Sequence, residues 1–140
     1  MRGGRQPGAL GALLVVVVGV AIVAIAQFTL DSLSLSSPSW HLIQHGIIAV
    51  GGVVVGVGAT RLYQMGQPQA GRYPSAMAAS LVLVVGAGLV TFGQFYVDSL
   101  PDLTQAVHWL AHGLVFAGGV LIGEAAYSFY LREQARSLLD

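Results

Sequence analysis

Only 9% of the 140 residues in this chain are charged, whereas 55% are hydrophobic. A water-soluble domain carries about a quarter charged residues, so this chain has too few to cover a water-facing surface. The formal net charge is zero and the chain has no cysteine, which argues against nucleic-acid binding and excludes disulfides, thiolate metal sites and thiol redox chemistry.

The apolar residues occur in four long runs, which span residues 10–30, 41–60, 75–97 and 106–130. Only the last run contains an acidic residue, Glu124. Each run is close to the roughly 20 residues that a helix needs to cross the hydrocarbon layer, and backbone groups in lipid must be paired within their own segment. The sequence therefore predicts an all-α fold, an integral membrane four-helix bundle.

The first run needs separate consideration because it resembles a secretory leader. It follows Arg2 and Arg5 and contains the small-residue stretch Ala24-Ile25-Ala26, which is similar to a signal-peptidase site. The run is longer than a usual signal core, and a related segment occurs later in the chain. We therefore expect this span to be retained.

The arginines predict the orientation of the four spans. They supply every Lys or Arg in the chain, and they precede the first span, flank the loop between the second and third, and follow the fourth: Arg2, Arg5, Arg61, Arg72, Arg132 and Arg136. The other two loops, residues 31–40 and 98–103, contain no Lys or Arg. The positive-inside rule places both termini and the middle loop in the cytoplasm of a cell-membrane protein.

The two halves of the sequence are similar to each other. Residues 4–63 align without gaps on residues 71–130, at an offset of 67, with about 25 of 60 positions identical. Apolar helices resemble one another readily, but the matching polar residues are not explained in that way. We expect two tandem helical-hairpin repeats, residues 1–66 and 67–140, in one membrane domain and related by an axis along the membrane normal.

Two glycine motifs occupy equivalent positions in the second and fourth spans. Gly52 and Gly56 are four residues apart, as are Gly119 and Gly123. Small residues one turn apart allow helix backbones to approach closely. We expect the second and fourth spans to contact each other there, the alternative being the ordinary glycine content of membrane helices.

Polar residues recur at the outer ends of the spans in both repeats. Pairs four residues apart lie on one face of a helix, and each repeat has a Gln-x3-Asp pair followed by a His-x3-His pair: Gln27, Asp31, His41 and His45 in the first, and Gln94, Asp98, His108 and His112 in the second. If the repeats pack about the expected axis, these eight side chains converge in the outer third of the bundle. Polar side chains within a membrane indicate function by default.

Imidazole and carboxylate groups in this pattern are typical of a transition-metal site. We expect His41, His45, His108, His112, Asp31 and Asp98 to be the ligands of one or two ions. Gln27 and Gln94 would orient the imidazoles or act as weak ligands. The preponderance of imidazole favours copper or zinc, with iron also compatible.

Two other interpretations of the histidines remain open. A haem could have His41 with His108, or His45 with His112, as its axial ligands. Alternatively, the Asp–His and Gln–His pairs are hydrogen bonds that tie the hairpins together, because buried polar groups need partners.

Glu124 has no acidic counterpart in the first repeat, where Val57 occupies the equivalent position. Arg61 is expected at a similar depth, so we predict an intramembrane ion pair between Glu124 and Arg61. The alternative is a role for Glu124 in proton transfer.

The sequence contains no catalytic fingerprint, so whether the chain is an enzyme stays open. The leading hypothesis is a small membrane metalloprotein with a redox or metal-handling role and its site toward the extracytoplasmic side. The alternatives are a non-catalytic assembly or accessory subunit, a haem-binding bundle and, last, a transporter. The expected partners are the lipid bilayer and either further copies of the chain or a larger membrane complex.

Overall fold

The described part of the chain is entirely helical. The computed structural model describes residues 7–34, 37–66, 75–97, 100 and 104–138, and of residues 7 and 31–34 only the backbone. These residues form α1 (Pro7–Ser34), α2 (Pro38–Gly66), α3 (Ala76–Phe92) and α4 (Gln105–Ser137), and α3 continues into a π-helical segment, Gly93–Val97. All four are long and apolar enough to cross a membrane. The all-α prediction with four candidate spans is confirmed.

Two boundaries differ from those predicted. The connection after the first span is shorter than the expected loop at residues 31–40, because α1 extends to Ser34 and α2 already begins at Pro38. Proline suits the first position of a helix, where its missing N–H has no intrahelical partner to lose. The third span was expected to stay α-helical to residue 97, but the α-helix gives way to the π-helical segment at Gly93.

The helices pack in the order α1, α2, α4, α3, with α2 and α4 in the middle. The outer helices α1 and α3 therefore leave much of their apolar surface uncovered. For example, Phe28 is 79% exposed and Val84 is 68% exposed. Exposed apolar surface of this extent is unsuited to water and is consistent with contact with a lipid bilayer.

Two exposed threonine hydroxyl groups on the outer helices are paired within their own helix. Thr91 donates its hydroxyl hydrogen to the carbonyl oxygen of Ala87 at 2.9 Å, and Thr29 donates to Ile25 in the same way. Water cannot serve as the partner inside hydrocarbon, so such internal bonds are what a lipid-facing threonine requires.

The backbones of α2 and α4 touch at the two glycine motifs. A Cβ atom added to Gly52 would lie 2.5 Å from the carbonyl oxygen of Phe116 and 3.1 Å from the Cα atom of Gly119. Cβ atoms on the other three glycines would also meet carbonyl oxygens of the facing helix: Gly56 at Val120, Gly119 at Ala49 and Gly123 at Val53. The predicted close approach of the second and fourth spans is confirmed, and Gly52 and Gly119 lie at the same level.

Glycines also form the contacts within each hairpin. A Cβ atom on Gly19 of α1 would lie 2.8 Å from the carbonyl oxygen of Gly51 of α2. A Cβ atom on Gly86 of α3 would lie 2.8 Å from the carbonyl oxygen of Gly118 of α4. The two contacts involve residues that the offset of 67 makes equivalent, so both hairpins close at the same level.

Substitution of a glycine at the α2–α4 contact should destabilise the protein. Gly56→Val places a side chain where the backbone of Val120 now lies, and overpacking of this kind costs about 1–3 kcal/mol or more. Gly46→Val is the matched control, because Gly46 lies on the same helix and a Cβ atom there would meet nothing within 4 Å. Unfolding of the detergent-solubilised variants measures the difference, and equal stabilities would contradict the packing described here.

Candidate metal centre

The four histidines lie at equivalent positions near the N-terminal ends of α2 and α4. Each helix begins three residues before its first histidine, at Pro38 for His41 and at Gln105 for His108. The spacing of four places the second histidine of each helix, His45 or His112, on the same face one turn further along. Because the glycine motifs hold the two helices in register, both pairs lie at one level of the bundle.

The structure brings all four imidazole rings together. The ring centroids of His41 and His45 are 4.5 Å apart, and those of His108 and His112 are 4.3 Å apart. Across the two helices, the centroids of His45 and His112 are 4.6 Å apart and those of His41 and His108 are 5.4 Å apart. The predicted convergence of the histidines is therefore present in the fold.

Three of these histidines form a group that could hold a metal ion. One ring nitrogen from each of His41, His45 and His112 lies within 4.8 Å of the others. His41 and His45 come from α2, whereas His112 comes from α4, so the group requires both helices. The ring of His108 lies beside those of His41 and His112 but is not part of this closest group.

Two glutamines each bind a histidine of the other hairpin. These are the inner histidines, His45 and His112, which lie further from the helix ends than His41 and His108. His112 donates its Nδ1–H to Oε1 of Gln27 in α1, at 2.6 Å. His45 donates its Nδ1–H to Oε1 of Gln94 in the π-helical segment, at 2.5 Å. An amide oxygen can only accept, so a neutral imidazole in this arrangement carries its lone pair on Nε2. The glutamines thus fix both the ring orientation and the nitrogen that can bind a metal.

The inner part of the cluster is shielded from solvent. His45 is 1% exposed, His112 is 4% exposed and Gln27 is 9% exposed. His41 and His108, one turn closer to the ends of their helices, are only partly buried. The cluster is therefore closed toward the middle of the bundle and more open toward the helix ends.

The two predicted carboxylate ligands cannot be placed. Asp31 belongs to α1 by its backbone, but its side chain lies outside the described residues. Asp98 lies outside the described residues altogether. Their assignment as metal ligands stays a prediction.

The predicted ion pair joins Glu124 and Arg61, two side chains that the structure describes. Arg61 is exposed, and its Nη2 atom lies 3.9 Å from the position that a Cβ atom on Gly8 of α1 would take. Glu124 is partly buried on α4, where its backbone nitrogen approaches Gly56 of α2. The pair stays a prediction.

The haem alternative would require the rings to separate. Two axial nitrogens each about 2.0 Å from an iron place their ring centroids roughly 6 Å apart, with the macrocycle between them. The centroids of His41 and His108 are 5.4 Å apart and those of His45 and His112 are 4.6 Å apart. The other pair of rings also occupies the space beside each candidate pair.

Gln44 is a buried polar residue that sequence reasoning missed. It precedes His45, is 0% exposed, and donates its amide Nε2–H to the carbonyl oxygen of Ala26 at 3.4 Å. Its Oε1 atom has no hydrogen-bond partner among the described residues. In the alignment of the two halves of the sequence Ala111 stands opposite Gln44, so Gln44 was not among the matching polar residues. Gln44 lies three residues after His41 and so on the same face of the helix. This spacing is the sequence signal that could have identified it.

The chain was compared with protein-family models, with curated proteins and with solved structures, and no match was found in any of the three. The chemistry of the site therefore has to be inferred from its own residues.

Removal of a cross-hairpin acceptor should destabilise the protein. Gln27→Leu leaves the buried Nδ1–H of His112 without its acceptor, which costs roughly 1–3 kcal/mol. Gln94→Leu should have a similar effect through His45. The control is Gln105→Leu, at an exposed position on α4. Unfolding in detergent measures all three variants, and a Gln27→Leu protein as stable as the control would argue against the bond.

Proposed function

We propose that this chain is a small integral membrane metalloprotein that binds one or two transition-metal ions, copper, zinc or iron, near the extracytoplasmic face. Its role is in redox chemistry or in metal handling. The observation that carries the proposal is the group of His41, His45 and His112, whose ring nitrogens lie within 4.8 Å of one another. Metal–nitrogen bonds of about 2.0–2.1 Å hold the nitrogens of neighbouring ligands roughly 3–3.5 Å apart, so the three rings would close around an ion by about 1 Å or more.

The two glutamines support this function because they accept hydrogen bonds from the histidines, as residues next to metal ligands commonly do. Metal-binding histidines commonly donate the second ring N–H to a neighbouring oxygen, which fixes the tautomer and the ring orientation. Here Gln27 and Gln94 accept from Nδ1 of His112 and His45. Each Nε2 atom is then the nitrogen that faces the ion. Asp31 and Asp98 complete the proposed ligand set.

The distribution of charge supports the proposed side of the membrane. The histidines lie near the N-terminal ends of α2 and α4, whereas Arg61, Arg132 and Arg136 lie near the C-terminal ends of these helices. Arginine-bearing ends face the cytoplasm by the positive-inside rule. The histidine ends then face outward, and the partly buried His41 and His108 form the entrance to the site.

A second function is favoured by the same glutamine–histidine bonds. They link α1 to α4 and the π-helical segment to α2, and so join the two hairpins. A polar network with such bonds can hold a bundle together without any ion. In this case the protein is an assembly or accessory subunit of a larger membrane complex, or a homo-oligomer, and the histidines are structural.

Metal analysis of the purified protein distinguishes the two functions. The protein is loaded with copper, zinc or iron, freed of excess ion and analysed by mass spectrometry. We expect bound metal in the wild type and its loss in the double variant His45→Ala plus His112→Ala. The matched control is Gly46→Ala plus Gly113→Ala, which alters the next residues on the same helices, where an added Cβ atom meets nothing within 4 Å.

Each result has a defined meaning. Metal retained in the control and lost in the histidine variant supports the metalloprotein. No metal under any loading condition supports the structural subunit, and a Soret band in the absorption spectrum would support haem. Circular dichroism of both double variants shows whether a loss of metal is merely a loss of fold.

A further inference from the structure

We propose that the two hairpins hold a single ion among four imidazoles, instead of one ion in each repeat. This inference rests on the metal site proposed above and specifies its imidazole ligands and its stoichiometry. It adds His108 to the closest group of three, and it assigns the site to an ion that accepts a flattened arrangement of four nitrogens.

The four rings surround a common centre. Taken in the order His41, His45, His112, His108 and back to His41, neighbouring centroids are 4.5, 4.6, 4.3 and 5.4 Å apart. The centroids of His41 and His112, which lie across this ring from each other, are 6.1 Å apart. The four ring centroids thus lie at the corners of a quadrilateral whose sides are shorter than the diagonal between His41 and His112.

Three of the four sides and the one diagonal are close to those of a flattened four-nitrogen site, whereas the side between His41 and His108 is longer, at 5.4 Å. Nitrogen ligands about 2.0 Å from a metal in one plane place neighbouring imidazole centroids roughly 4.5 Å apart and opposite ones roughly 6.3 Å apart. In a tetrahedron all the separations would be equal, at roughly 5 Å. Tetragonal nitrogen sites are typical of Cu²⁺ or Ni²⁺, and Cu²⁺ binds most tightly of the first-row divalent ions. Its higher affinity makes Cu²⁺ the ion that we assign to this site.

The bonds to the glutamines favour one ion over two. His45 and His112 use Nδ1 for the glutamines, so each has only Nε2 left and cannot bridge two metals. Divided between two ions, the four rings would supply fewer imidazoles to each ion than they supply to one shared ion.

His108 is the ligand that the inference adds. Its ring lies 4.3 Å from that of His112 and 5.4 Å from that of His41, centroid to centroid. It is only partly buried, so rotation about its side-chain bonds can bring a ring nitrogen toward the common centre. Neither hairpin alone contains the complete set, which makes the pairing of the hairpins a condition for binding.

The test uses the full-length protein loaded with Cu²⁺. Elemental analysis gives the number of copper ions per chain, and pulsed electron paramagnetic resonance counts the bound imidazoles through their remote nitrogens. We expect one copper ion and four imidazoles in the wild type. His108→Ala should keep one ion and lose one imidazole, whereas the control Gln105→Ala, exposed on the same helix, should leave the spectrum unchanged.

The wild-type measurement is decisive even if His108→Ala fails to fold. Two copper ions per chain, or one ion with fewer than four imidazoles, would overturn the shared site while leaving a metalloprotein. A His108→Ala spectrum identical to that of the wild type would do the same. If the wild type binds no copper, zinc or iron, the proposed function fails together with this inference.

Discussion

The contact between the backbones of α2 and α4 determines the geometry of the rest of the molecule. Without side chains at Gly52 and Gly119, the two helices approach until a Cβ atom on Gly52 would lie 2.5 Å from the carbonyl oxygen of Phe116. A contact this close sets both the separation and the register of the helices. His45 lies two turns before Gly52, and His112 lies two turns before Gly119. The close contact of the two glycines therefore brings the two imidazole rings to the same level and close together.

The glutamine–histidine bonds form a second constraint at the level of the cluster. They come from the outer elements and bind histidines of the opposite hairpin, Gln27 to His112 and Gln94 to His45. In surroundings of low polarity a hydrogen bond is strong and an unpaired polar group is costly. The bonds therefore hold two rings in one orientation, which is the preorganisation that a metal site needs, and they also strengthen the bundle itself.

The two hairpins differ where they approach the cluster. Gln44 in α2 donates to the carbonyl oxygen of Ala26 in α1, whereas at the equivalent place a Cβ atom on Gly93 would lie 3.0 Å from the carbonyl oxygen of Ala111. The π-helical segment that begins at Gly93 has no counterpart in α1, and π-turns often occur at functional sites. Histidines at equivalent positions thus have unequal surroundings, which is consistent with the closest group containing His41 but not His108.

The sequence by itself determined the helical class, the number of candidate spans and the glycine contact, because hydrophobic run length and small-residue spacing act locally along a helix. It also indicated that the four histidines and two glutamines belong together, through their repetition at an offset of 67. The repeat itself and the orientation in the membrane stay predictions. Only the tertiary structure decided that each glutamine binds a histidine of the other hairpin, that Arg61 lies beside α1 and that Gln44 is buried. Spacing along one helix fixes which residues share a face, but the partner of that face depends on how the helices pack.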